Sequence, residues 1–200
     1  MSNAVCGMQN PMKESPRFSP VTLTVSPGAK VSQGTNLTGN PRLVRDIAAE
    51  IHSSIQQWNA LHLNGVSLLK TITRLKVDQS YPEELKTPCE DLEKICDEAD
   101  KIVANLELLA KQVKAVSCLH KTDNNLFSTW PVEKFVMTAE TIYNAYKKEA
   151  AVKRIILENV AHNHRDSWKM LHLAAWVHQT QISDNINTKL ESMLIETKLR

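Results

Sequence analysis

The 200-residue chain is predicted to be all-α: a Ser/Pro-rich tail over 1–40, a long antiparallel coiled-coil hairpin over 41–119, and a C-terminal cluster of about three helices over 120–200. Three observations predict it. Apolar residues recur at seven-residue spacing in two successive runs of five heptads. All five glycines lie in the first third, and residues 66–200 contain none. Beyond residue 130 the apolar positions keep helical spacing.

The tail mixes Pro, Gly, Ser, Thr and Asn with few large apolar groups, so burial cannot offset the entropy of ordering it. It holds three Ser-Pro pairs, at Ser15, Ser19 and Ser26. Proline-directed kinases accept such dipeptides, and each phosphate adds close to two negative charges. A Pro- and Ser-rich linker also produces such pairs by composition alone.

The first helix is expected to start at Asn40-Pro41, with Asn as cap and Pro in the first turn. Its a positions are Val44, Ile51, Trp58, Gly65 and Ile72; its d positions are Ile47, Ser54, Leu61, Leu68 and Leu75. Ser54 and Gly65 are the interruptions. After a break at Val77–Pro82, a second seam runs through Leu85, Leu92, Ala99, Leu106 and Val113 at a. Its d positions are Pro88, Ile95, Ile102, Leu109 and Val116. Pro88 makes this helix begin at Glu83 or restart at Pro88. Two helices of similar length on a short connection fold back antiparallel. Their charges agree with that pairing: 41–76 carries five basic and two acidic residues, 83–119 nine acidic and five basic.

After a polar connector, Thr129-Trp130-Pro131 opens a third helix, with Glu133 near its positive end. Val132, Phe135, Val136, Ala139, Ile142, Tyr143, Tyr146, Ala150, Ile155, Ile156 and Val160 form a stripe wide enough to meet more than one neighbour. Asn163–Arg165 breaks the pattern. Asp166 is placed to cap a fourth helix with Trp168, Leu171, Ala175 and Trp176, and Ser183 or Asp184 a fifth with Ile186, Leu190, Met193, Leu194 and Thr197.

Composition removes several functions. Formal charge is +2, which makes no case for an acidic substrate. A phosphate-binding loop needs several glycines, and residues 66–200 contain none. Cys6, Cys89, Cys96 and Cys118 lack any CxxC spacing, and a seven-residue helical step puts Cys89 and Cys96 about 10 Å apart, too far for a disulfide. His162, His164, His172 and His178 cluster with Asp166 but lack the i, i+4 pair and adjacent glutamate of a zinc hydrolase, so no metal is expected. No cofactor and no catalysis are expected either. Lys147, Lys148, Lys153 and Arg154 flank Tyr143 and Tyr146, the arrangement of a nucleic-acid surface. Glu149 and Glu158 interrupt it, and the tyrosines fall on the apolar stripe, so protein partners are expected instead. No run resembles a secretory leader or a membrane span. The candidate partner-binding residues are Trp58, Trp130, Pro131, Trp168, Trp176, His178, Leu190, Met193 and Leu194, since aromatic and large apolar groups anchor interfaces. The four tryptophans suit a core equally well.

Phe127-x-Thr129-Trp130-Pro131, Tyr146-x-Lys148-Glu149, Lys153-Arg154 and Ala161-His162 resemble the cyclin-dependent kinase 2-interacting protein family. So do Trp176-Val177-His178-Gln179 and the closing Leu190 to Thr197. The likeness reaches the first helix through Arg45-Asp46, Ala48-Ala49, His52, Trp58, Leu61 and Gly65. It implies a non-catalytic nuclear adaptor linking cyclin-dependent kinase to the kinase that fires replication origins, with checkpoint proteins among its partners. It further implies a subunit of an assembly around AAA+ ATPases and another helical adaptor, acting on replisome components and on large ribosomal subunit maturation.

Overall fold

The computed structural model describes residues 37–120 and 125–200. Ser15, Ser19 and Ser26 lie outside the described residues. Five α-helices occur among those described: α1 (Asn40–Leu75), α2 (Lys86–Leu119), α3 (Val132–Val160), α4 (Asp166–His178) and α5 (Asp184–Glu196). No strand occurs among them. The 36 residues of α1 and 34 of α2 make rods of about 50 Å.

Most heptad positions are buried, whereas Leu61, Leu68, Leu75, Pro88 and Ile95 are half-buried. Val44, Ile47, Ile51, Ser54, Trp58, Gly65 and Ile72 on α1 are all buried, as are Leu92, Ala99, Ile102, Leu106, Leu109, Val113 and Val116 on α2. Each fully buried Leu, Ile or Val contributes about 1.5–3 kcal/mol relative to exposure. Asn105 Nδ2 donates to Ser54 Oγ at 3.1 Å across the middle of the pair. Leu69 and Ile72, late in α1, cluster with Leu85 and Leu92, at the beginning of the returning chain, so α1 and α2 run antiparallel.

The C-terminal helices extend the same core. α2 packs along α3 as broadly as along α1. Arg154 bridges Asp97 and Asp100 while Lys114 meets Glu140 at 3.2 Å, an antiparallel register again. α4 then returns along α1: Trp176 lies on Gly65, and Lys169 Nζ reaches the Lys76 carbonyl at 3.4 Å. α5 continues that descent along α3, ending where Glu196 accepts a hydrogen bond from Trp130 N–H at 3.0 Å. The result is an up-down-up-down four-helix bundle whose fourth member is split into α4 and α5.

Helix ends differ in detail from the sequence expectation. Gly39, with φ of 68°, occupies the cap position of α1, and Asn40 is already helical. The positive φ suits glycine, which is why the boundary moved one residue upstream. The α-helix of α2 begins at Lys86, between the two expected starts: a 3-10 turn over Glu83–Leu85 leads into it, and Pro88 sits in its first turn, where a missing N–H costs nothing. Asp166 is the first residue of α4 rather than its cap, and its carboxylate pairs with Lys169 Nζ at 2.8 Å.

Candidate functional site

The tryptophans divide into three that build the bundle and one on its surface. Trp58 is 1% exposed; its Nε1–H donates to Gln179 Oε1 at 2.7 Å, and Tyr146 packs edge-on at 5.1 Å between ring centres. Trp130 packs on Phe135 at 5.0 Å. Trp176 is fully buried, and its Nε1–H donates to the His62 carbonyl at 3.1 Å. Leu190, Met193 and Leu194 belong to the same core as Trp58 and Trp130. All six of these sequence candidates are therefore committed to internal packing in this fold. Pro131, Trp168 and His178 are the exposed ones.

Around Trp58 and Trp176 lies a charged network that includes Lys153, weighed above as part of a nucleic-acid surface, and Glu149, which interrupts that surface. Lys153 and Glu149 are 2% and 0% exposed in their side chains and face each other at 3.5 Å. Lys153 Nζ also lies 4.0 Å from the centre of the Trp176 ring and donates to His62 Nδ1 at 3.4 Å. Glu149 Oε2 accepts the Gln181 N–H at 3.0 Å. Burial pulls the Lys153 ammonium down to about 8 despite the neighbouring carboxylate, and burial together with Lys153 pulls His62 down to about 4. Burial pushes Glu149 above the usual carboxylate range. The network grips the α4–α5 junction, where Gln179 takes a left-handed conformation with φ of 44°. It fixes the split fourth member onto α1 and α3.

A second anchor holds the end of α5. The Glu196 carboxylate accepts from Thr129 Oγ1 at 2.8 Å and from the backbone N–H groups of Thr129 and Trp130. Burial opposes its charge, yet those bonds hold its pKa below the ordinary value. The closing Leu-Glu-Ser-Met-Leu-Ile-Glu-Thr stretch is thus a structural clasp on the Thr-Trp-Pro turn.

The basic surface weighed for nucleic acid does not form as such. Lys153 is internal, and Arg154 is taken by Asp97 and Asp100 at 2.5 and 2.6 Å. The histidines disperse as well. His162 meets Tyr81 Oη at 2.8 Å, His172 is buried beside Trp168, and His178 is exposed. Among the described residues no three His, Cys, Asp or Glu side chains come together as a metal site. No helix among them is long and apolar enough to cross a membrane.

What the surface does offer is α4. Its inner side buries His172 and Trp176. Its outer side carries Met170, Leu171 and Val177 at 67, 54 and 40% exposure, with Trp168 at 45% on the flank. Ala174 is exposed between them. A helix apolar on both sides is ordinarily an internal one. Fold and surface together define a helical-bundle protein with one bundle helix left uncovered, a surface suited to covering by another protein.

Comparison with known proteins agrees with this class. No protein-family model matches the sequence. The chain is similar to the cyclin-dependent kinase 2-interacting proteins of Mus musculus, at 29% identity, and of Homo sapiens, at 28%, over 80% of this chain and 91% of each relative. It is 26% identical to that of Xenopus laevis, over 86% of this chain and 96% of the relative. These relatives share one family name at 26–29% identity over 80–86% of this chain, so the likeness is to the cyclin-dependent kinase 2-interacting proteins.

Proposed function

We propose that the chain is a non-enzymatic adaptor whose helical bundle holds an uncovered apolar helix for protein partners. The single observation carrying this is α4, with Trp168, Met170, Leu171 and Val177 exposed on a bundle whose interior is otherwise well filled. The relatives' name supports a cyclin-dependent kinase as one partner. The family resemblance supports the finer reading: a nuclear subunit of an assembly around AAA+ ATPases and a second helical adaptor, serving replisome turnover, the DNA-damage checkpoint and large ribosomal subunit maturation.

Native affinity purification of the tagged full chain from nuclear extract, with mass spectrometry and size measurement, tests this. Recovery in a large, near-stoichiometric assembly with AAA+ ATPases is the expected result. Recovery alone and monomeric refutes it. A second reading, a phosphorylation-regulated link between cyclin-dependent kinase and the origin-firing kinase, is favoured by the three Ser-Pro pairs at Ser15, Ser19 and Ser26. Kinase association in a small complex, lost on deleting residues 1–40, would select it.

A further inference from the structure

The outer face of α4 adjoins an exposed stripe of α1. Leu63, Ser67, Lys70 and Arg74 follow one another at i, i+4, i+7 and i+11, and all are exposed. Arg74 lines a groove of about 250 Å³ together with Met170 and Leu173 of α4. Because the two helices are antiparallel, with Trp176 against Gly65, the Leu63 end of the stripe runs beside Val177. The groove itself, the α1–α4 trough, is lined by Thr73, Arg74, Asp166, Lys169, Met170 and Leu173, and the antiparallel packing carries its line on toward the exposed Val177 and Leu63.

Its surroundings are mostly basic. From Ile51 to Lys76 the chain has no Asp or Glu, and from Ala161 to Ser183 it has only Asp166, which Lys169 already neutralises at 2.8 Å. Five basic residues fall in those two segments against that one acid. On α2 and α3, Lys94, Lys101, Lys111, Lys114 and Arg154 each meet a carboxylate, while Lys86, Lys134, Lys147 and Lys148 do not but have acidic residues within four positions in the sequence. Among the described residues Lys70, Arg74 and Arg165 meet none. An apolar trough with unmatched cations along it lacks two things at once, apolar cover and negative charge.

We infer that the α1–α4 trough is the docking site for an acidic amphipathic helix of a partner protein, its apolar stripe on Met170, Val177 and Leu63 and its carboxylates on Lys70, Arg74 and Arg165. A helix fits because two antiparallel helices present a groove into which a third packs by ridges and grooves. The 13 residues of α4 span about 20 Å, which a partner helix of about four turns covers. This inference rests on the adaptor reading and specifies its site.

The test uses the full chain and two labelled synthetic helices of about 18 residues with the same leucine stripe, one flanked by glutamates and one by lysines. The acidic helix should bind at least about tenfold tighter than its basic twin, and the preference should shrink as salt is raised. Met170→Glu with Leu171→Glu should abolish binding while leaving the circular dichroism melt unchanged, since both side chains are exposed. Lys70→Glu with Arg74→Glu should reverse the preference toward the basic helix, a readout that general loss of fold cannot mimic. Equal binding of the two helices, no binding of either, or displacement of the acidic helix by a single-stranded oligonucleotide overturns the inference. So does dimerisation of the chain that the Met170/Leu171 variant abolishes, because a second copy would then be the occupant. Partners recovered undiminished by that variant overturn the α4 site and leave the adaptor reading standing; no partners with the unaltered chain overturn both.

Discussion

Gly65→Ala separates two effects of opposite sign. In an exposed helix interior, replacing Gly by Ala stabilises by about 1 kcal/mol, because alanine loses less conformational freedom on folding. Here the added Cβ would sit 2.2 Å from Trp176 Cζ2, 2.7 Å from Cε2 and 2.9 Å from Nε1. Ordinary contact requires the indole to retreat by more than an ångström. The ring is fully buried, hydrogen-bonded to the His62 carbonyl at 3.1 Å and covered by Lys153 at 4.0 Å, so retreat costs packing and those contacts. Overpacking costs about 1–3 kcal/mol and a lost hydrogen bond about 1. Setting the propensity gain against these leaves a net loss of about 1–3 kcal/mol, or roughly 2–4 °C in Tm for each kcal/mol. Urea unfolding measures the loss, and amide hydrogen exchange should show α4 loosening before α2. Trp176→Leu in the Gly65→Ala background should give a coupling energy of about 1 kcal/mol or more, the leucine relieving the clash. A Gly65→Ala chain that is more stable than the parent, by the amount helix propensity alone predicts, would refute the close approach.

Three further outcomes follow from the charged and titratable groups. Lys153→Met alone should cost about 3 kcal/mol by leaving Glu149 unpaired, whereas Lys153→Met with Glu149→Gln should come within about 1 kcal/mol of the parent, as denaturant titrations will show. His62 has its folded pKa lowered to about 4, so its contribution is complete above pH 6.5 and is lost as pH falls from 6.5 to 4; being half exposed, it is worth about 1–2 kcal/mol, and His62→Gln should flatten that limb of the stability–pH curve. Arg154→Ala breaks two partly exposed pairs to Asp97 and Asp100 and should cost about 1 kcal/mol, an effect that fades in thermal melts at high salt.

The α1–α2 pairing was legible because both seams repeat over five heptads, enough for the apolar period to exceed noise. Bundle closure by α4 and α5 was not, because it depends on contacts between residues about 100 positions apart, such as Trp176 with His62 and Gln179 with Trp58. The internal charges were readable in principle. Glu149 and Lys153 continue the line Ile142, Tyr146 and Ile156 at three- and four-residue steps, so their place on the stripe, rather than their charge, marked them as buried. Gly65 was similarly informative: a glycine at an a position in a long helix signals a neighbour that comes too near for a side chain. The sequence could not identify that neighbour as Trp176. Trp168 differs from the other three tryptophans only through the packing of α4, which no local pattern encodes.

The proposed adaptor would act by being bound, and the chain's relatives are named for a kinase they interact with. The most direct measurement is association of the purified full chain with purified cyclin-dependent kinase 2, followed by sedimentation velocity across a range of concentrations. A faster-sedimenting complex with saturable stoichiometry, and no phosphate transfer by the chain itself, is the expected result. Two species that sediment independently at every concentration would contradict it.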